Sequence, residues 1–109
     1  MSPITGPIIM DIVIRSFADR RTEEIFDGVD SEMAGKACPR NLWKVARRKL
    51  DQINRVKDLA ELAVPPGNRL ERLRADRSGQ HGIRINDQYR VCFRWEAGDA
   101  YEVEIADYH

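Results

Sequence analysis

From residue 80 onward the apolar residues of this chain recur at every second position. In "HGIRIN", Ile83 and Ile85 alternate with Arg84 and Asn86. In "YRVCFRW", Val91, Phe93 and Trp95 alternate with Arg90, Cys92 and Arg94. In "AYEVEI", Tyr101, Val103 and Ile105 alternate with Glu102 and Glu104. Only "DQ" and "EAGD" separate the three runs. A period of two means strands with one apolar face, and turns this short make neighbouring strands antiparallel. The apolar face must be covered, and only the first two thirds of the chain can cover it.

Those residues have a different period. Leu42, Ala46, Leu50, Ile53 and Val56 recur at spacings of three and four, the buried stripe of a helix. Pro39 suits its first position, and "VPPGN" breaks it after about Leu62. Lys44, Arg47, Arg48, Arg55 and Lys57 lie mostly off the stripe. They form either a solvated helix face or a surface for nucleic acid or a partner. A shorter helix is expected in "DRRTEEIFDG", with acids near its start and Gly28 as its stop. "VDSEMAGKACP" between them reads as a turn-rich link. "DIVIRSF" sets Ile12, Ile14 and Phe17 against Asp11, Val13 and Arg15, as in a first strand, and "RLERL" is short and strand-like. Residues 1–9 carry Pro3, Gly6 and Pro7 and read as an irregular extension ahead of one domain, 10–109. The expected fold class is α+β: two N-terminal helices packed on a mainly antiparallel sheet, in the order β-α-α-β-β-β-β. The sheet's other face should display arginines.

A chain of 109 residues, 42% hydrophobic and 33% charged, is a globular domain with a modest core. No apolar run approaches the roughly 18 residues of a membrane span, and "MSPITGPIIM" lacks the basic start of a signal peptide. A cytoplasmic location, with Cys38 and Cys92 reduced, is therefore expected. The net charge of zero hides a segregated layout. Seven arginines between Arg69 and Arg94 face only Glu71, Asp76 and Asp87, whereas from Trp95 onward there are five acids and no Lys or Arg. Either a basic surface adjoins an acidic one, or cross-strand pairs neutralise both.

The last four residues, "ADYH", place a carboxylate, a phenol and an imidazole together. His109 has an unperturbed pKa near neutrality and suits acid–base work. Arginine offers a permanent charge and a planar fork matched to phosphate oxygens. No Gly-rich phosphate loop and no metal-type spacing of His, Cys or carboxylates is found, so no cofactor is expected.

The stretches "LRADR", "INDQYRVCF" and "GDAYEVEIADYH" match, in order and spacing, the C-terminal half of HigB-type toxins. From Met10 onward the chain resembles that group of the RelE/ParE toxin superfamily, which belongs to type II toxin–antitoxin systems. The resemblance implies a RelE-like fold and a ribosome-dependent endoribonuclease, or mRNA interferase. Such an enzyme cuts messenger RNA in the ribosomal A site without metal. The ribose 2′-hydroxyl attacks the adjacent phosphate, leaving a cyclic phosphate and a 5′-hydroxyl. It implies as partners a helix-turn-helix antitoxin and the ribosome, no membrane, and operator DNA only through the antitoxin complex. It places His109, Arg90, Arg74 and Tyr108 in the catalytic site, with Arg74 where the family commonly has Lys. Arg84, Arg77, Asn86 and His81 become secondary RNA contacts. Asp107 is assigned to positioning, Tyr101 and Trp95 to the core, and Trp43 to packing or an antitoxin contact. A pI near 6.7 is low for a protein that works on RNA. Two other readings therefore stay open: a ParE-like toxin that binds DNA gyrase without nuclease activity, and an inactive regulatory partner of an antitoxin.

Overall fold

The computed structural model describes residues 13–108. Its elements follow in the order α1 (Arg20–Asp27), α2 (Glu32–Ala37), α3 (Trp43–Ile53), β1 (Glu71–Arg72), β2 (Gln80–Arg84), β3 (Tyr89–Glu96) and β4 (Asp99–Asp107). The four strands form one antiparallel sheet in the order β1-β2-β3-β4. The expected α+β class, with helices against an antiparallel sheet, is what the chain adopts.

The helix boundaries follow local chemistry. Asp19 caps α1 by accepting from Thr22 N at 2.8 Å. Gly28 ends it at φ 77, a left-handed conformation that suits glycine. The link expected to be all turn instead contains α2. Ser31 accepts from Ala34 N at 3.0 Å and starts that helix, and Pro39 follows its end. Pro39 also precedes a 3-10 turn (Arg40–Leu42) rather than opening α3 directly. α3 stops at Ile53, well short of Leu62. Asn54 takes the cap position, and its carboxamide oxygen accepts from Val13 N and Ile14 N, both at 2.9 Å. Residues 59–63 form a separate 3-10 segment.

The start of the described chain is extended but makes only two isolated parallel bridges to β4, Ile14 to Ala100 and Phe17 to Val103. Val13 is buried along with Ile14, contrary to strict alternation. Ile12, Asp11 and the extension 1–9 lie outside the described residues.

One core joins the layers. Ile25 of α1, Ala46, Leu50 and Ile53 of α3, and Ile83, Val91, Phe93, Val103 and Ile105 of the sheet are buried together. Trp43 is buried in the same cluster and its indole N–H donates to Cys38 O at 3.0 Å, so its role is packing. Cys38 and Cys92 are both free and buried. Thr22, fully buried, accepts from Ile105 N at 2.9 Å and ties α1 to β4.

Candidate functional site on the arginine face of the sheet

Alternation sends Arg90 and Cys92 of β3 to the side of the sheet away from the helices. Directly opposite residues of an antiparallel pair share a face. Arg84 and Gly82 of β2 face Arg90 and Cys92 on one side, and Ala106 and Glu104 of β4 face them on the other. Leu73, Cys92 and Ala106 make a small apolar floor. Gly82 leaves room for Leu73, since a Cβ there would meet the leucine Cδ2 at 3.2 Å.

Arg90 crosses this floor. Its guanidinium carbon lies 5.2 Å from the centre of the Tyr108 ring, within cation–π range. Its Nη1 is 3.1 Å from Glu71 Oε2, yet it is buried without an aligned hydrogen bond. Tyr108 is held by its backbone N–H, which donates to Gln88 O at 2.6 Å. Its hydroxyl accepts a weak bond from Cys92 Sγ at 3.8 Å. Burial pushes the Tyr108 phenol up to about 12, and the neighbouring Cys92 adds to the shift. The phenol is therefore a neutral hydrogen-bond donor at physiological pH. Burial also raises the Cys92 thiol, so it stays protonated and inert.

Arg77 reaches the same face from the turn before β2. Its Nη1 donates to Glu104 Oε1 and Gln80 Oε1, both at 3.1 Å. Arg84 pairs with Asp87, and Arg94 with Glu102 at 3.3 Å. The basic stretch and the acidic tail thus interleave, and cross-strand pairing neutralises much of the segregation seen in the sequence. Arg74 is exposed, has no ion-pair partner among the described residues and precedes the 3-10 turn (Ala75–Arg77) that carries Arg77.

Two expected contacts are placed elsewhere or already occupied. His81 pairs with Phe93 on the helix-covered side, ring centres 6.1 Å apart, away from Arg90. Burial, then Arg72, lowers its pKa. The Asn86 carboxamide oxygen accepts from Gln88 N and Tyr89 N at 2.9 and 2.7 Å and builds the β2–β3 turn. His109 lies outside the described residues. Asp107 Oδ2 accepts from Gln88 Nε2 at 3.1 Å. Trp95 packs against the core, as expected. Tyr101 does not. A register shift between Cys92 and Arg94, with Glu102 at φ 54, sets Tyr101 opposite Arg94 on the arginine face.

The structure also brings in groups that sequence reasoning missed. A cleft of about 290 Å³ at the end of β4 is lined by Arg21, Lys36, Arg77, Tyr89, Glu104 and Asp107. Arg21 and Lys36 come from α1 and α2, and no local spacing connects them to the tail. Glu71, the partner of Arg90, sits in a strand of two residues. No three His, Cys, Asp or Glu side chains among the described residues are grouped to hold a metal ion.

A family model described as the RelE-like toxin of the type II toxin–antitoxin system HigB matches residues 15–109. The chain belongs to the HigB-like toxin family. Toxin HigB-1 of Vibrio cholerae is 31% identical to this HigB-like chain over 84 residues, 77% of this chain and 85% of that one. An uncharacterized protein of Haemophilus influenzae is 41% identical over 58 residues, 53% of this chain and 57% of that protein. Among solved structures, the YoeB-YefM complex from Staphylococcus aureus matches with a TM-score of 0.50 and 13% identity, covering 90% of this chain and 97% of that one. That likeness supports the RelE-like fold. This HigB-like chain is a RelE-family toxin of a toxin–antitoxin system, and no helix among its described residues is long and apolar enough to cross a membrane.

Proposed function

We propose that this toxin cleaves messenger RNA on the translating ribosome by metal-independent attack of a ribose 2′-hydroxyl on the adjacent phosphate. The oxygen–phosphorus bond to the 5′-oxygen breaks as the new bond forms. A base takes the 2′ proton and an acid returns one to the leaving oxygen. His109 is the acid–base group and Arg90 binds the phosphate. Arg74 adds an unpaired cation, Arg77 and Arg84 are flanking contacts, and the neutral Tyr108 phenol donates to a phosphate oxygen.

The observation that carries this reading is Arg90 itself. Its guanidinium lies on the arginine face beside the Tyr108 ring and is held there by Glu71 at 3.1 Å. A phosphate that displaced Glu71 would take over this contact, and the charge developing on phosphorus would strengthen that bond in the transition state. A cognate helix-turn-helix antitoxin silences the enzyme in the cell, and operator DNA is reached only through that complex. The structural relative is itself seen in a complex of two proteins, YoeB and YefM.

The test compares the full chain with the 1–108 chain in single-turnover cleavage on programmed ribosomes. Loss of His109 should lower the rate by about 10²–10⁴ and leave the thermal midpoint unchanged. His81→Ala should cleave at close to the parent rate. Full activity of the 1–108 chain would remove His109 from the mechanism. Intact messages together with a loss of gyrase supercoiling would favour the non-nuclease reading.

A further inference from the structure

A second concavity lies on the other side of the molecule, between α3 and the segment that follows it. It encloses about 760 Å³, more than twice the cleft beside β4. One wall is the outward face of α3. Lys44, Arg47, Arg48, Asp51 and Arg55 share that face at spacings of three and four. The opposite wall is residues 61–65. The helix face that the sequence leaves as either solvated or a surface for nucleic acid or a partner is therefore one side of a groove.

The groove is preformed. Asn68, fully buried, donates from Nδ2 to Leu62 O at 2.9 Å and to Gln52 Oε1 at 3.1 Å, while Lys49 donates to its Oδ1. These bonds fix the 61–65 wall against α3. Asp58 caps the 3-10 turn (Leu59–Ala63) that builds the wall.

The floor and rim differ in chemistry. Val56, Leu62, Val64 and Pro65 are aliphatic, and Val64 is 76% exposed. Lys44, Arg47, Arg48 and Arg55 outnumber Asp51 and Glu61. Arg47 is committed to Ile25 O at 3.0 Å. Lys44, Arg48 and Arg55 make no ion pair among the described residues, whereas Arg77, Arg84, Arg90 and Arg94 on the arginine face each have a carboxylate. Three cations without an ion pair among the described residues thus surround an apolar trough.

We propose that this groove docks an acidic amphipathic helix of a partner protein. Its leucine-type side chains would enter the trough and its carboxylates would meet Lys44, Arg48 and Arg55, the helix-in-groove mode of recognition. Single-stranded RNA fits less well, because such sites stack bases on aromatic rings and none lines this groove. Ala46, Leu50 and Ile53 of α3 point to the core side of the sheet, so the groove and the arginine face lie on opposite sides. A docked helix leaves Arg90 and Tyr108 open. The proposal does not depend on the nuclease reading.

The test titrates the full, isotope-labelled chain with a fluorescein-labelled peptide of Leu, Ala and Glu. The peptide carries leucines at i, i+3, i+4 and i+7. Amide shifts should cluster on residues 44–65, with those of β3 unmoved. The R48E/R55E double variant and, independently, Val64→Asp should each raise Kd about tenfold or more. Each changes exposed side chains, and circular dichroism should confirm an unchanged fold. A scrambled peptide of the same composition should bind at least about tenfold more weakly. Absence of binding, equal binding of the scrambled peptide, or shifts on the arginine face would overturn the proposal. So would displacement of the peptide by oligouridylate with shifts on these residues, which would make the groove an RNA contact. A concentration-dependent dimer buried through the same residues would assign it to a second copy.

Discussion

Arg90 is the residue on which the proposed site turns, and its place on the face away from the helices follows from the alternation in the sequence. Its position between Tyr89 and Val91 in an alternating run sends it off the core. What alternation cannot show is its surroundings: Glu71 from a distant strand, the Tyr108 ring, and a guanidinium N–H without an aligned acceptor. Arg90→Ala should lower single-turnover cleavage by about 10²–10³. Glu71 is left near the surface, where water can hydrate it, so the urea midpoint should move little. Parent-like cleavage would show that Arg90 is only Glu71's partner. A second residue-scale expectation concerns pH. Burial pushes the Cys38 thiol from 9.0 to about 11. Between those values the folded chain keeps a proton that the unfolded chain releases, so the stabilisation is complete below pH 9 and lost as pH rises through about 11. Urea midpoints should fall across that window, and less steeply for Cys38→Ala. Equal slopes would show that other groups set the alkaline limb.

At the scale of elements, β2, β3 and most of β4 were legible because period two and short turns leave little freedom. The failures have identifiable causes. α2 hides behind Gly35 and a short length, although Ser31 is a proper cap. α3 ends early because Asn54 is drawn to Val13 and Ile14, some forty positions away in the chain, which no local signal announces. The Glu102 bulge reverses Tyr101 without a glycine to mark it. Thr22 is the equivalent long-range link between α1 and β4. Thr22→Val keeps the shape but leaves Ile105 N–H buried without an acceptor. It should cost about 1–3 kcal/mol of unfolding free energy, read from urea denaturation. A change within error would mean that water replaces the hydroxyl.

For the whole molecule, the sheet separates two surfaces. Helices and the basic groove lie on one side, and Arg90, Tyr108 and the arms of Arg77 and Arg84 on the other. The segregated charge of the sequence folds back on itself, with Arg77 on Glu104 and Arg94 on Glu102, so that most arginines of this face are matched by carboxylates. A protein of this balance binds free RNA weakly. On the proposed reading its action would depend on a ribosome that presents the message, and the chemistry should be written in the cut ends. The most direct measurement incubates the toxin with programmed, assembled ribosomes in a magnesium buffer stripped of transition metals, which keeps the subunits joined, and determines both termini of the cleaved message. A 5′-hydroxyl on one fragment and a cyclic phosphate on the other are expected at an undiminished rate. Fragments bearing 5′-phosphates, or no cleavage at all, would contradict the account.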